Sequence, residues 1–121
     1  MSDVLSDPLD RAQIELLLSL DDGDGAALLE IVDEYLVMSE EGRMELLGCL
    51  RAGDAHGAER AAHTLKGASA NVGAAALAGV CAAMEARARQ GQPQGAAQLT
   101  EQFESEFVRA RSALQAVASR P

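Results

Sequence analysis

The chain has no tryptophan, one tyrosine and two phenylalanines in 121 residues. Little of the aromatic content that strands favour is present. Alanine makes up about a fifth of the chain and leucine is common, so strong helix formers dominate. Lysine is nearly missing as well: nine of the ten basic residues are arginine, and the exception is Lys66. No basic stripe of the kind that neutralises a phosphate backbone can be assembled, which argues against a nucleic-acid partner. No apolar run approaches the roughly 18 residues of a membrane span. None follows basic residues at the start of the sequence either, so no signal peptide is read. A cytoplasmic location without membrane attachment is expected.

The two cysteines, Cys49 and Cys81, are far apart and in no metal-type spacing. They sit among apolar neighbours and read as small buried hydrophobes that stay thiols in a reducing compartment. The net charge of −9 is unevenly spread. Positions 1–45 hold 13 acidic residues against Arg11 and Arg43, whereas positions 46–121 hold 6 against 8 basic ones.

The length suits one domain, 1–121. Apolar periodicity predicts five helices, over about 8–19, 24–52, 54–72, 75–89 and 94–119. Asp7 suits the first N-cap, with Pro8 opening the helix and Leu9, Ala12 or Gln13, Leu16 and Leu17 on its apolar side. The DDGDG run at 21–25 fits a calcium loop poorly and reads as a turn leading into the N-terminus of the second helix, at Asp24 or Gly25. In that helix Leu28, Ile31, Val32, Tyr35, Leu36, Met44, Leu47 and Leu50 follow the helical period, and Gly42 is a weak point. Met38, Met44 and Met84 are expected in the core. Asp54 suits the third N-cap and Gly73 its C-terminal stop. Leu99, Phe103, Phe107, Leu114 and Val117 carry the last helix. Short connections between long amphipathic helices favour an all-α, antiparallel up-down-up-down four-helix bundle, with the short first helix as a lid at one end.

The stretch AAHTLKGASANVGA, 61–74, raises the functional question. A helical glycine costs about 1 kcal/mol relative to alanine, yet Gly67 sits within one helix beside a histidine and a lysine. Ala58, Ala61 or Ala62, Leu65, Ala68 or Ser69, and Val72 form the core stripe. His63 lies two residues before Leu65, a rotation of about 200°, and so faces solvent. Lys66, Gly67, Glu59 and Ala70 share its side. A neutral imidazole nitrogen has a free lone pair and is a nucleophile. An ammonium one turn away would attract an anionic group attached to the ring, and Gly67 leaves room for a partner. A convex face with one nucleophile does not suit an enzyme acting on small molecules, which needs a cleft of converging polar groups. It suits exchange of a phosphoryl group with a concave partner. His56 and His63 lack the further ligands a metal site requires. Arg87 and Arg89 follow Glu85 and either add positive potential near the site or, more simply, form a solvated helix end.

The run His63-Thr64-Leu65-Lys66-Gly67-Ala68-Ser69-Ala70-Asn71-Val72-Gly73 resembles the signature of histidine-containing phosphotransfer (HPt) domains. The likeness extends to the short first helix, the Gly-Asp before the third helix and the small-residue fourth helix. The resemblance implies a monomeric phosphorelay protein, either free-standing or excised from a longer chain. It implies that His63 carries a phosphoryl group on Nε2, that Lys66 neutralises its oxygens, and that Gly67 and Ala70 give a partner access. Receiver domains of hybrid histidine kinases or response regulators would supply the Asp and a Mg²⁺ ion. The domain itself would use no metal or other cofactor and have no autokinase activity. Many relay members carry Gln 22 residues after the His, where this sequence has Glu85. Members that carry Glu suggest a residue that orients the ring through Nδ1; the other reading is an exposed helix residue with no contact. Two competing functions remain: a helical docking module that carries no phosphate, and a phosphatase acting on phosphorylated receivers.

Overall fold

Asp54 opens the helix that carries His63. Its carboxylate accepts the Gly57 N–H at 2.9 Å, satisfying one of the free donors of a helix N-terminus. Helix α3 runs from there over Ala55–Asn71 in a computed structural model that describes residues 7–21 and 25–119. It stops where Gly73 takes a φ of +83°, a conformation that favours glycine. The turn is closed by the Ala74 N–H on the Ser69 carbonyl at 2.8 Å. The other helices are α1 (Arg11–Leu18), α2 (Ala26–Arg51), α4 (Ala75–Arg89), α5 (Pro93–Ala97) and α6 (Thr100–Ala118), with a 3₁₀ turn at Ser19–Asp21. No strand occurs among the described residues. Helix α3 packs on α2 and α4, α4 on α6, and α6 on α2. The four long helices therefore close into the expected bundle.

The core is filled by a stripe from each helix. Leu28, Val32, Tyr35, Ser39 and Leu46 come from α2, and Ala58, Ala61, Ala62, Leu65 and Ser69 from α3. Leu77, Val80, Cys81 and Met84 come from α4, and Phe103, Phe107, Ala110 and Leu114 from α6. Burial pushes the Cys81 thiol up to about 12, as an inert core thiol requires. Both cysteines are free. Tyr35 Oη and Ser69 Oγ form a buried polar pair between α2 and α3, 2.7 Å apart. Burial raises the Tyr35 phenol, and the Ser69 hydrogen bond works against that rise.

Gly42 is a contact rather than a weak point. A Cβ there would lie 2.9 Å from Leu65 Cδ2, so the bare backbone lets α3 seat its central leucine against α2. The α2 stripe runs through Ser39 and Gly42 to Leu46. This places Met44 outside, at 62% exposure, and Met38 at 42%; of the three methionines expected in the core only Met84 is there.

Helix α1 starts later than expected. Its N-cap is Asp10, which accepts from the Ala12 and Gln13 N–H groups, while Asp7 accepts from Leu9 N–H and pairs with Arg11. The reason is tertiary. Residues 8–10 lie along the α3–α4 turn, with Asp10 N–H on the Gly73 carbonyl at 2.7 Å and Ala76 N–H on the Pro8 carbonyl at 3.3 Å. Leu9, Ile14 and Leu17 are buried, whereas Leu16 is exposed, so α1 contributes to the core as well as covering one end.

The last predicted helix is two. Arg87 Nη1 donates to the Gly95 carbonyl at 3.0 Å. The Leu99 N–H turns instead to Ala96, and the chain re-enters a helix at Thr100. Gly25, with φ +85°, is the N-cap of α2. Residues 22–24, including Asp24 and most of the DDGDG turn, lie outside the described residues.

Candidate functional site

The phase of α3 is set by Leu65, which is 1% exposed. His63 accordingly points outward, with its side chain 67% exposed. Gly67 and Ala70 are exposed on the same side, and His56 and Arg60 are exposed nearer the N-terminus of the helix. A Cβ built on Gly67 meets nothing within 4 Å. No contact in the described chain therefore requires glycine there, although the residue weakens the helix.

Glu85 comes from α4, the neighbour of α3. Its side chain is 4% exposed and reaches under the His63 ring, with Oε2 at 2.9 Å from Nδ1. The reading of Glu85 as a contact-free surface residue is thereby excluded. Lys66 Nζ lies 2.7 Å from Oε1 of the same carboxylate. The Lys66 hydrogen bond holds the Glu85 carboxyl below the ordinary carboxylate range; burial opposes that shift and the His63 bond adds to it. An ionised carboxylate only accepts. In the neutral ring the N–H is then on Nδ1 and the lone pair on Nε2.

Arg89, one turn beyond Glu85, also reaches this carboxylate, with Nη2 at 2.6 Å from Oε2. Its Nε donates across to Glu59 of α3 at 3.0 Å. Glu59, Arg60, His63, Thr64, Glu85 and Arg89 together line an open hollow between α3 and α4. The sequence placed Glu59 beside His63 and Arg89 after Glu85, but not the bond between them. The signals were the four-residue spacings 59–63 and 85–89, each of which puts two residues on one helix face. Lys66, expected near a phosphoryl group, is here engaged with Glu85. Among the described residues no group of three or more His, Cys, Asp and Glu side chains is placed to hold a metal ion. No helix among them is long and apolar enough to cross a membrane.

The chemistry available is that of one exposed nucleophilic nitrogen, oriented from beneath by a buried carboxylate and flanked by cations. Comparison with known proteins gives the family. A family model described as Hpt domain matches residues 10–119. A solved structure, histidine-containing phosphotransfer protein B from Pseudomonas aeruginosa, superposes with a TM-score of 0.85 at 34% sequence identity, covering 94% of this chain and 96% of that one. No curated protein matches the sequence.

Proposed function

The chain belongs to the Hpt domain family, and on that premise we propose that it is a phosphorelay intermediate, carrying a phosphoryl group on Nε2 of His63 and exchanging it with the Asp of receiver domains. The observation that carries the reading is the tether of His63 Nδ1 to the buried Glu85 carboxylate at 2.9 Å, which leaves Nε2 free on an open face. In the forward step the Nε2 lone pair attacks phosphorus of the receiver's aspartyl phosphate. The P–O bond breaks, and its electron pair returns to the Asp carboxylate. Nδ1 keeps its proton throughout, so the phosphorylated ring is cationic. The reverse step expels a neutral imidazole, a good leaving group. Phosphoryl transfer depends mainly on positioning and charge neutralisation, so Glu85 orients the ring. Lys66, an ammonium with three donors, has capacity to meet the phosphoryl oxygens as well as Glu85. Gly67 and Ala70 keep the approach clear for the receiver. Hpt domains are phosphocarriers rather than enzymes. We assign no autokinase activity to this chain and place Mg²⁺ in the receiver.

The test is phosphoryl transfer from a phosphorylated receiver to the wild type, His63→Gln and His56→Gln. The reading expects an acid-labile, base-stable label on the wild type and His56→Gln, absent from His63→Gln. Label on His63→Gln, or none on the wild type from any receiver of the same genome, would refute it; the latter result would favour a docking module.

A further inference from the structure

Both oxygens of Glu85 accept hydrogen bonds, and Oε2 accepts two. Lys66 Nζ occupies Oε1 at 2.7 Å. Oε2 serves His63 Nδ1 at 2.9 Å and Arg89 Nη2 at 2.6 Å. An arginine as open as Arg89, with 60% of its side chain exposed, would ordinarily sample many rotamers, and an exposed ion pair would hold it weakly. Here a second bond fixes it: Nε donates to Glu59 Oε2 at 3.0 Å, and the Glu59 side chain is only 27% exposed. Glu59 sits one helical turn before His63 on α3, and Arg89 one turn after Glu85 on α4. The guanidinium therefore spans the two helices, with Nε on α3 and Nη2 on α4. A closed circuit results, in which the side chains Glu59–Arg89–Glu85–His63 are completed by the α3 backbone between 59 and 63.

We infer that Arg89, anchored by Glu59, is a positioning residue for His63: it fixes the Glu85 carboxylate in the rotamer that aims Oε2 at Nδ1, and so selects the ring tautomer with its lone pair on Nε2. The inference rests on the phosphocarrier reading for its purpose but not for its geometry. Lys66 alone does not hold the carboxylate this way, because it binds the other oxygen and leaves rotation about the Oε1 contact open. The planar, forked guanidinium presents donors in fixed directions, which is why one side chain can bridge two helices. A lysine at 89 would keep the charge but not the fixed fork of donors that holds both carboxylates in this geometry. Small displacements of a reacting group cost large factors in rate.

The experiment combines ¹⁵N spectra of the His63 ring, recorded where the ring is neutral, with rates of phosphoryl uptake from a phosphorylated receiver. The proteins are the wild type, Arg89→Gln, Arg89→Lys, Glu59→Gln and the Arg89→Gln/Glu59→Gln double variant. In the wild type the Nδ1–H tautomer should dominate. In every variant the Nε2–H fraction should rise several-fold and uptake should slow by about five- to tenfold, with the thermal midpoint unchanged. The double variant should be no worse than Arg89→Gln, since both substitutions break one circuit. Wild-type tautomer ratios in Arg89→Gln would overturn the inference and make Arg89 an ordinary surface ion pair. Full rescue by Arg89→Lys would also overturn it, because charge alone would then suffice. Should the wild type take up no phosphoryl group, the phosphocarrier reading fails, while the tautomer spectra still decide the role of Arg89.

Discussion

Glu85 Oε2 lies 2.9 Å from His63 Nδ1, joining a carboxylate side chain 4% exposed to a ring 67% exposed. The carboxylate is held from below by Lys66 and Arg89 as well, while most of the imidazole remains open to solvent.

Replacing Glu85 by Gln should lower stability by about 1–2 kcal/mol at neutral pH, less than for a fully buried pair because Lys66, His63 and Arg89 can turn to water. The pH dependence has a definite sign. The Lys66 hydrogen bond, opposed by burial and aided by His63, depresses the Glu85 carboxyl from its ordinary value of 4.5. A depressed folded-state value contributes stability that is complete above the unfolded value and lost as pH falls through the folded one. Urea unfolding of the wild type and Glu85→Gln should therefore differ most at neutral pH and converge in acid. A gap that widens in acid would contradict the assignment.

Gly67→Ala and Gly42→Ala should have opposite effects on stability. A methyl at 67 meets open space and at 42 meets Leu65 at 2.9 Å. The first should stabilise the fold by about 0.5–1 kcal/mol, and the second should destabilise it by about 1–3 kcal/mol. If Gly67 serves receiver approach, Gly67→Ala should also slow phosphoryl exchange while the protein becomes more stable. Denaturant midpoints and transfer rates measured on the same samples check this.

The contrast between these glycines shows what the sequence could and could not reveal. Local signals were sufficient for Asp54 as a cap, for Gly73 as a stop, and for the outward phase of His63 set by Leu65. They failed where a tertiary partner intervened. The α2 stripe passes through Ser39 and Gly42, which carry no apolar signal, so Met44 took a place that belongs to Leu46. Arg87 captures the Gly95 carbonyl and splits the final helix. The docking of 8–10 on the α3–α4 turn moves the first cap from Asp7 to Asp10. At the site, His63, Lys66 and Gly67 were legible because they lie on one helix. The contact of His63 with Glu85 was suggested only by the family resemblance, and its extension to Arg89 and Glu59 depends on the register between α3 and α4, which no spacing within one helix encodes.

Tyr35→Phe should cost about 1–3 kcal/mol, because the Ser69 hydroxyl would be left buried without its phenol partner. In a double-mutant cycle with Ser69→Ala, the paired substitution should cost less than the sum of the single ones. Additive losses in thermal or urea unfolding would show that the 2.7 Å contact contributes nothing between α2 and α3.

Phosphate on Nε2 of His63, with the Nδ1 proton kept against Glu85, is directly observable. The most direct measurement is ³¹P–¹⁵N correlation on the uniformly ¹⁵N-labelled protein after phosphorylation by a receiver. One phosphorus resonance should couple to Nε2 of His63, with a proton retained on Nδ1. Coupling to Nδ1, or phosphorus on any other residue, would contradict this assignment.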